Sequence, residues 1–197
     1  MRRERRTDTL VCVPESDSPE AAERSPKPSG FFADPWIRFS ALFAVLVLLS
    51  EVIYYGVLLG SAPMVTYLGL VARVSGEILG FLGTEVSVRG TTISGGGFAV
   101  QISPECDALQ LCAILTAAIV AFEAPLPSKL VGMALGVLWL TLLNFVRIVS
   151  LYFVGSHEPS IFQTAHETVW PVILIAITLA TWVFWAQRAL PGEPQPA

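Results

Sequence analysis

The sequence predicts an all-α protein that crosses a membrane several times, and two observations carry this prediction: its composition and its long apolar runs. Of the 197 residues, 53% are hydrophobic and only 14% are charged, whereas about 25% of an ordinary soluble domain is charged. Four apolar segments predict transmembrane helices, at residues 37–59, 106–122, 130–153 and 169–185. The net charge of −4 says little, because most charges lie in the tails, and nothing indicates a nucleic-acid partner.

The chain divides into two tails and one membrane-embedded part. Residues 1–35 are rich in Arg, Glu, Ser and Pro and lack apolar periodicity, which predicts a disordered cytoplasmic tail. No apolar core closely follows their basic start, so they do not form a cleavable signal peptide. Residues 36–188 form the predicted membrane domain, and residues 189–197 form a short C-terminal tail.

The first predicted span would be about 34 Å long at about 1.5 Å per residue, which is enough to cross a bilayer. Trp36 marks its headgroup end. Seven of the twelve Lys and Arg residues lie between positions 2 and 38. Since cytoplasmic segments carry an excess of these residues, the N-terminus is predicted to be cytoplasmic.

The connection to the second span has two parts. Residues 64–82 are apolar but are interrupted by Arg73 and Glu77, which predicts an amphipathic helix at the membrane interface rather than a clean span. Whether this helix also spans is open at this point. Residues 85–102 alternate between apolar and polar around Gly95-Gly96-Gly97, which predicts a small β-hairpin outside the bilayer.

The three remaining spans each carry a packing or anchoring signature. Small residues recur at every fourth position in the predicted span at residues 106–122, and two glycines have GxxxG spacing in the span at residues 130–153. Both patterns suit close helix contact. Tryptophans flank the third, as expected of aromatic belts at the two membrane surfaces. These residues are Ala113, Ala117 and Ala121; Gly132 and Gly136; and Trp170, with Trp182 and Trp185 at the other end.

Three chemically reactive side chains, Cys106, Arg147 and His166, fall on the same side of the membrane in either threading. If residues 64–82 do not span, four crossings place both tails inside and the three side chains outside. If those residues do span, the three move together to the cytoplasmic side. Five spans with an exterior site would export the basic tail, which the charge rule excludes.

Cys106 is a candidate nucleophile at the point where a polar segment becomes an apolar helix. The thiolate is the reactive form of cysteine, and the first turn of a helix, where we expect Cys106, favours an anion. Glu105 and Asp107 oppose this, because nearby carboxylates disfavour a second negative charge. On spacing alone, a small buried hydrophobic residue is an equally good interpretation.

Arg147 lies about two helical turns inside its span, where a cation costs roughly 2.5–3.5 kcal/mol on insertion scales. One explanation is an ion pair with Glu51, at comparable depth in the first span. The other is a clamp for a developing oxyanion or a substrate carbonyl, and the two are compatible. Asn144, one turn earlier, would either orient Arg147 or hydrogen-bond another helix, and we favour the second.

His166 precedes the last span, and the ordinary pKa of histidine suits proton transfer. The alternative is an interfacial polar residue without a catalytic role. His157 lies in the same loop, but its neighbours Ser156 and Glu158 indicate a solvated position. We therefore prefer His166 as the third member of the site.

The cysteines Cys12, Cys106 and Cys112 have neither metal-ligand nor redox spacing. Cys106 and Cys112 are six positions apart and would point in different directions on a helix, so they would not pair. No metal and no cofactor is expected.

The segments Pro104-Glu105-Cys106-Asp107-Ala108-Leu109 and Asn144-Phe145-Val146-Arg147-Ile148, followed by His166 before a final span, resemble the exosortase and archaeosortase family. The resemblance covers roughly residues 64–185, and the short length is similar to the compact exosortase H type. One departure is that the family often has Cys-Ser-Gly where this chain has Asp107-Ala108 after the cysteine. The departure indicates a subtype with a different substrate preference, or lost activity.

The resemblance implies a bacterial integral-membrane cysteine transpeptidase, a thiol protease of the inner membrane with its site facing the exterior. Cys106 would be the nucleophile that forms a thioester, and Arg147 and His166 would complete the site. The substrates would be exported proteins with a C-terminal sorting signal, which comprises a short motif, a transmembrane helix and a basic cluster. A site that faces the exterior agrees with the threading of four crossings, in which residues 64–82 do not span.

A non-catalytic membrane subunit for assembly or transport is the alternative function. In that case an ion pair between Glu51 and Arg147 would hold two spans together, and Cys106 would be replaceable. The recognition motif, the acceptor and the oligomeric state are not indicated by the sequence.

Overall fold

The structure is a computed structural model that describes residues 34–189. The tails predicted at residues 1–35 and 189–197 lie almost wholly outside the described residues. The described part contains helices α1 (Pro35–Ile53), α2 (Ala62–Phe81), α3 (Leu109–Ala121), α4 (Leu126–His157), α5 (Pro159–Thr164) and α6 (Trp170–Ala189), and strands β1 (Ser87–Arg89), β2 (Thr92–Gly95) and β3 (Phe98–Gln101).

Four helical segments are long enough and apolar enough to cross a membrane: Pro35–Leu58, Ala62–Phe81, Leu126–His157 and Pro159–Ala189. The first and last of these exceed α1 and α6 because π-helical turns, Tyr54–Leu58 and Ala165–Val169, continue the helical path. The predicted class, a helical polytopic membrane protein with a small β element, is confirmed.

Helix α3 corrects the predicted span at residues 106–122. It begins at Leu109 and has 13 residues, about 20 Å at 1.5 Å per residue, which is shorter than the roughly 30 Å hydrocarbon core. Cys106 therefore lies before the helix, in the short 3₁₀ turn Pro104–Cys106, and not in its first turn as expected. The physical reason is Asp107, whose extended backbone separates the two helical pieces.

The helices that form the bundle run alternately up and down. Tyr54 of the α1 extension meets Asp107 just before α3, while Phe39 near the start of α1 meets Phe122 just after α3. Helices α4 and α6 are antiparallel in the same way, because the Trp185 indole donates to the carbonyl of Ser128, the third residue of α4. We call the end with Cys106 the thiol end and the end with Trp182 and Trp185 the tryptophan end.

Helix α2 packs against the sheet and against α4 at the thiol end. The Gly90 carbonyl lies 3.6 Å from where a Cβ on Gly69 would be, and Val88 closes over Gly76. The connection from α1 to α3 begins and ends at the thiol end, so α2 adds no net crossing to the chain path. Its exposed face carries Arg73 and Glu77 together with apolar side chains.

The predicted hairpin is a three-stranded antiparallel sheet of order β1-β2-β3. Gly96 and Gly97, both with positive φ, form the expected turn between β2 and β3. An additional two-residue turn at Gly90-Thr91 joins β1 to β2, with positive φ at Gly90. A glycine at the first central position is typical of a type II′ hairpin turn, and the predicted hairpin, with one turn at Gly95-Gly96-Gly97, did not include this second turn.

Two apolar clusters form the core. The larger lies between α2, the sheet and the thiol end of α4, and it includes Cys106. The smaller lies between α3, α4 and α6 and is closed by the two glycines predicted to mediate packing. A methyl group on Gly132 would overlap Trp185, and one on Gly136 would come within 2.6 Å of Leu115.

Candidate active site

The candidate site is built around a short loop that carries Cys106 into the protein. Ser103 begins the 3₁₀ turn, and its carbonyl accepts a hydrogen bond from the Cys106 N–H at 2.8 Å. The Cys106 carbonyl accepts from Asn144 Nδ2 of α4 at 2.9 Å. Cys106 is 5% exposed, so the loop presents its sulfur inside the protein rather than to solvent.

His166 lies beside this sulfur, with 3.2 Å between its Nε2 and Cys106 Sγ. Its position depends on the π-helical turn Ala165–Val169, because a π turn rotates the side chains that follow it relative to a regular α-helix. The imidazole stacks on Phe162 with 5.9 Å between the ring centroids, and Phe162 in turn contacts Phe98 of β3. The sheet therefore contacts His166 indirectly, through Phe98 and Phe162.

Arg147 is buried on the face of α4 that also bears Asn144. Its guanidinium lies within electrostatic range of Cys106 and Asp107. Among the described residues, its Nε has no hydrogen-bond partner. A buried polar group without a partner is costly, so this donor is available to a group that enters the site.

The proposed ion pair between Glu51 and Arg147 is wrong. Among the described residues the two form no ion pair, and the Glu51 carboxylate instead accepts from Gln110 Nε2 at 3.2 Å. The Glu51 side chain faces α3, which carries Gln110, rather than α4, which carries Arg147.

Tyr54 and Asp107 complete the surroundings of the loop, and sequence reasoning did not find their role. The Tyr54 hydroxyl donates to Asp107 Oδ2 at 2.8 Å and lies 3.1 Å from the Pro104 carbonyl. Asp107 Oδ1 accepts from the Leu109 N–H at 2.9 Å. From the sequence we interpreted Asp107 as a charge opposing the thiolate and as part of a departure from the usual family pattern, but gave it no structural task. A hydroxyl near the end of an otherwise apolar span was the signal that could have indicated Tyr54.

His157 lies apart from this arrangement. It is exposed at the end of α4, with its Nδ1 within 3.0 Å of the Phe153 carbonyl and 3.1 Å of the Ser156 hydroxyl. Asn144 does not hydrogen-bond another helix, as we favoured, but holds the loop of Cys106.

The arrangement places a thiol, an imidazole in hydrogen-bond contact with it and a buried cation in one enclosed site. A base next to a cysteine can remove its proton and generate the nucleophilic thiolate. A guanidinium with a free donor can stabilise a negative oxygen. The fold and the site thus define a helical membrane protein with a cysteine, a histidine and a buried arginine at one end of its bundle.

Comparison with known proteins gives this class a family. The family model described as "Transmembrane exosortase (Exosortase_EpsH)" matches residues 31–183, more than three quarters of the chain. The protein therefore belongs to the transmembrane exosortase family. No curated protein and no solved structure matches the chain.

Proposed function

We propose that this protein is a membrane-embedded cysteine transpeptidase that cleaves the C-terminal sorting signal of exported proteins and transfers them to an acceptor. The observation that carries the proposal is the 3.2 Å contact between Cys106 Sγ and His166 Nε2 beside the buried Arg147. Membership of the exosortase family supports it.

In the proposed reaction, His166 takes the thiol proton and Cys106 attacks a backbone carbonyl of the substrate. The new C–S bond places negative charge on the carbonyl oxygen, and Arg147 stabilises it. His166 returns the proton to the departing amine as the C–N bond breaks, which leaves a thioester. An acceptor nucleophile then loses its proton to His166, attacks the thioester and releases the Cys106 thiol.

The substrate's transmembrane helix would dock laterally on the bundle. An apolar cavity of about 340 Å³ lies between α1, α3 and α6, and its lining extends along α3 from Leu111 to Ala118. Leu111, Ile114 and Ala118 form its α3 side. A bound helix would place the peptide bond just outside its membrane segment near the thiol. The sheet would hold the extended motif by strand addition.

The thiol end is proposed to face the exterior of the bacterial inner membrane. Arg38, Lys129 and Arg188 lie at the tryptophan end of α1, α4 and α6, and six further Lys and Arg residues immediately precede α1. Positively charged residues favour the cytoplasmic side, so the tryptophan end would be cytoplasmic. Helix α2 would lie at the outer interface, since its exposed Arg73 and Glu77 would be costly within the hydrocarbon.

The proposal is tested by comparing cells that carry wild-type protein, Cys106→Ala or Cys112→Ala. Mass spectrometry of the C-termini of exported proteins identifies those that lose a terminal membrane segment only when the wild type is present. We expect Cys106→Ala to abolish this processing while the protein stays in the membrane. The Cys112→Ala variant removes a buried thiol of α3 outside the site and should process at close to the wild-type rate. Wild-type processing in Cys106→Ala would refute the proposal.

The alternative, a non-catalytic subunit, depended on a lock between Glu51 and Arg147. Because Glu51 contacts Gln110 instead, no specific contact in the described residues favours this alternative.

A further inference from the structure

We propose that Tyr54 and Asp107 are a positioning pair that couples helix α1 to the loop of Cys106. The inference rests on the proposed function of the same site, but its test includes a measurement on the thiol itself. It assigns a task to Asp107, one of the two residues by which this chain departs from the pattern of the family that it resembles.

The Tyr54 hydroxyl reaches both sides of Cys106. It contacts the Pro104 carbonyl two residues before the cysteine and the Asp107 carboxylate immediately after it. Its single proton points to the closer acceptor, Asp107 Oδ2 at 2.8 Å, and a hydrogen bond to a carboxylate is stronger than one between neutral groups. Tyr54 and Asp107 are each 6% exposed, so water competes little for this contact.

Asp107 joins two helices with one carboxylate. While Oδ2 accepts from Tyr54, Oδ1 accepts from the N–H of Leu109, the first residue of α3. Asn144 holds the Cys106 carbonyl from α4. The loop is therefore held from α1, α3 and α4, and it places the Cys106 sulfur in contact with His166 Nε2.

Asp107 also lies within electrostatic range of the buried Arg147 guanidinium, so its carboxylate can offset part of the cost of burying that cation. A buried guanidinium requires nearby negative charge, and Glu51 does not supply it. A serine in place of Asp107 could still accept from the Leu109 N–H as a helix cap. It would be too short to receive the Tyr54 hydroxyl at the same time, and it would bring no charge.

The first test is Tyr54→Phe, with Tyr55→Phe as the matched control. Tyr55 is the next residue, is 60% exposed, and its hydroxyl accepts from Gln110 at the protein surface. The rate at which methyl methanethiosulfonate modifies Cys106 is followed by peptide mass spectrometry on the full chain in detergent. We expect Tyr54→Phe to lower this rate about tenfold to a hundredfold, the size of a hydrogen bond to a charged group. Tyr55→Phe should leave it unchanged.

The second test combines Tyr54→Phe with Asp107→Ser. If the two side chains act as one unit, the double variant modifies Cys106 no more slowly than the slower single variant. Asp107→Asn keeps an acceptor and should recover part of the rate lost in Asp107→Ser. Independent, multiplying effects would overturn the pair, as would wild-type or faster modification in Tyr54→Phe.

Processing in cells distinguishes this inference from the proposed function. If Cys106 is modified slowly in Tyr54→Phe while Cys106→Ala still processes substrates normally, the positioning pair is supported and the transpeptidase is refuted. If Cys106→Ala loses processing while Tyr54→Phe is modified at the wild-type rate, the transpeptidase is supported and the positioning pair is refuted. The midpoint temperature of unfolding in detergent is measured for each variant, and the rates of Cys106 modification are compared at temperatures well below it. If Tyr54→Phe does not fold, the comparison of Asp107→Ser with Asp107→Asn decides: equal rates in these two would overturn the pair.

Discussion

The two ends of the bundle are held together by different kinds of contact. At the thiol end, polar side chains fix a loop: Tyr54 and Asp107 from one side, Asn144 from another, and His166 in contact with the sulfur. At the tryptophan end, rings predominate, beside the hydrogen bonds that Trp185 and Lys129 donate to the carbonyls of Ser128 and Val120. Phe122 meets Trp182 and Trp185 edge to face, with 6.0 and 5.8 Å between ring centroids.

The difference indicates that the two ends of the bundle have different structural tasks. Directional hydrogen bonds define where an atom lies, so a loop held by them can present a sulfur in one orientation. Aromatic and glycine packing defines only the distance between helices and tolerates changes in chemistry better than changes in volume. Substitutions at the thiol end should therefore affect reactivity first, whereas those at the tryptophan end should affect stability first.

The largest effect is expected at His166. Replacement by alanine removes the imidazole beside Cys106 Sγ and should lower the processing rate about 10²- to 10⁴-fold, the usual contribution of a general base or acid. The measurement is the rate at which newly made exported proteins lose their terminal membrane segment. His157→Ala is the control, since that side chain is exposed and bonded to its own helix. Equal loss in the two variants would contradict the role of His166.

The midsize effect is expected at the tryptophan end, from Gly132→Ala. The added methyl group would overlap the Trp185 indole, and overpacking of this kind typically costs about 1–3 kcal/mol of unfolding free energy. Gly80→Ala is the control, because nothing lies within 4 Å of that position and alanine is the better helix former. Unfolding in detergent should show a loss for Gly132→Ala and none for Gly80→Ala.

The same pair of variants sharpens the comparison of the two ends. In the Gly132→Ala protein that remains folded, Cys106 should react with a thiol reagent at the wild-type rate, because the site is held by contacts at the other end. A lower rate in the folded fraction would show that the two ends are coupled through α4 and α6.

The features that the sequence predicted well are those of the long, regular helices. The apolar runs of α1, α4 and α6 could be read without knowing any contact, and all three are long enough to span a membrane. Long apolar helices leave few alternatives for the path of the chain.

What the sequence did not predict depends on short irregular pieces. The extra turn at Gly90-Thr91, the break before α3 at Asp107 and the π turn that carries His166 each shift side chains by a fraction of a helical turn or by one strand position. The error over Glu51 has a different origin, because the sequence does not show which neighbouring helix a side chain on α1 faces. The pairing of Tyr54 with Asp107 joins residues 53 positions apart, which local patterns do not reveal.

The smallest effect is expected at the exposed ion pair of the tryptophan end, between Arg38 Nη1 and Glu123 Oε1 at 3.4 Å. Both side chains are more than 60% exposed, and such pairs contribute about 0–1 kcal/mol because solvent screens them. Glu123→Gln should change the unfolding midpoint in detergent by little at low salt and by nothing measurable at high salt. A loss as large as that of Gly132→Ala would mean that charge, and not ring packing, closes this end. The contrast between the two ends would then be wrong, since both would depend on directional polar contacts.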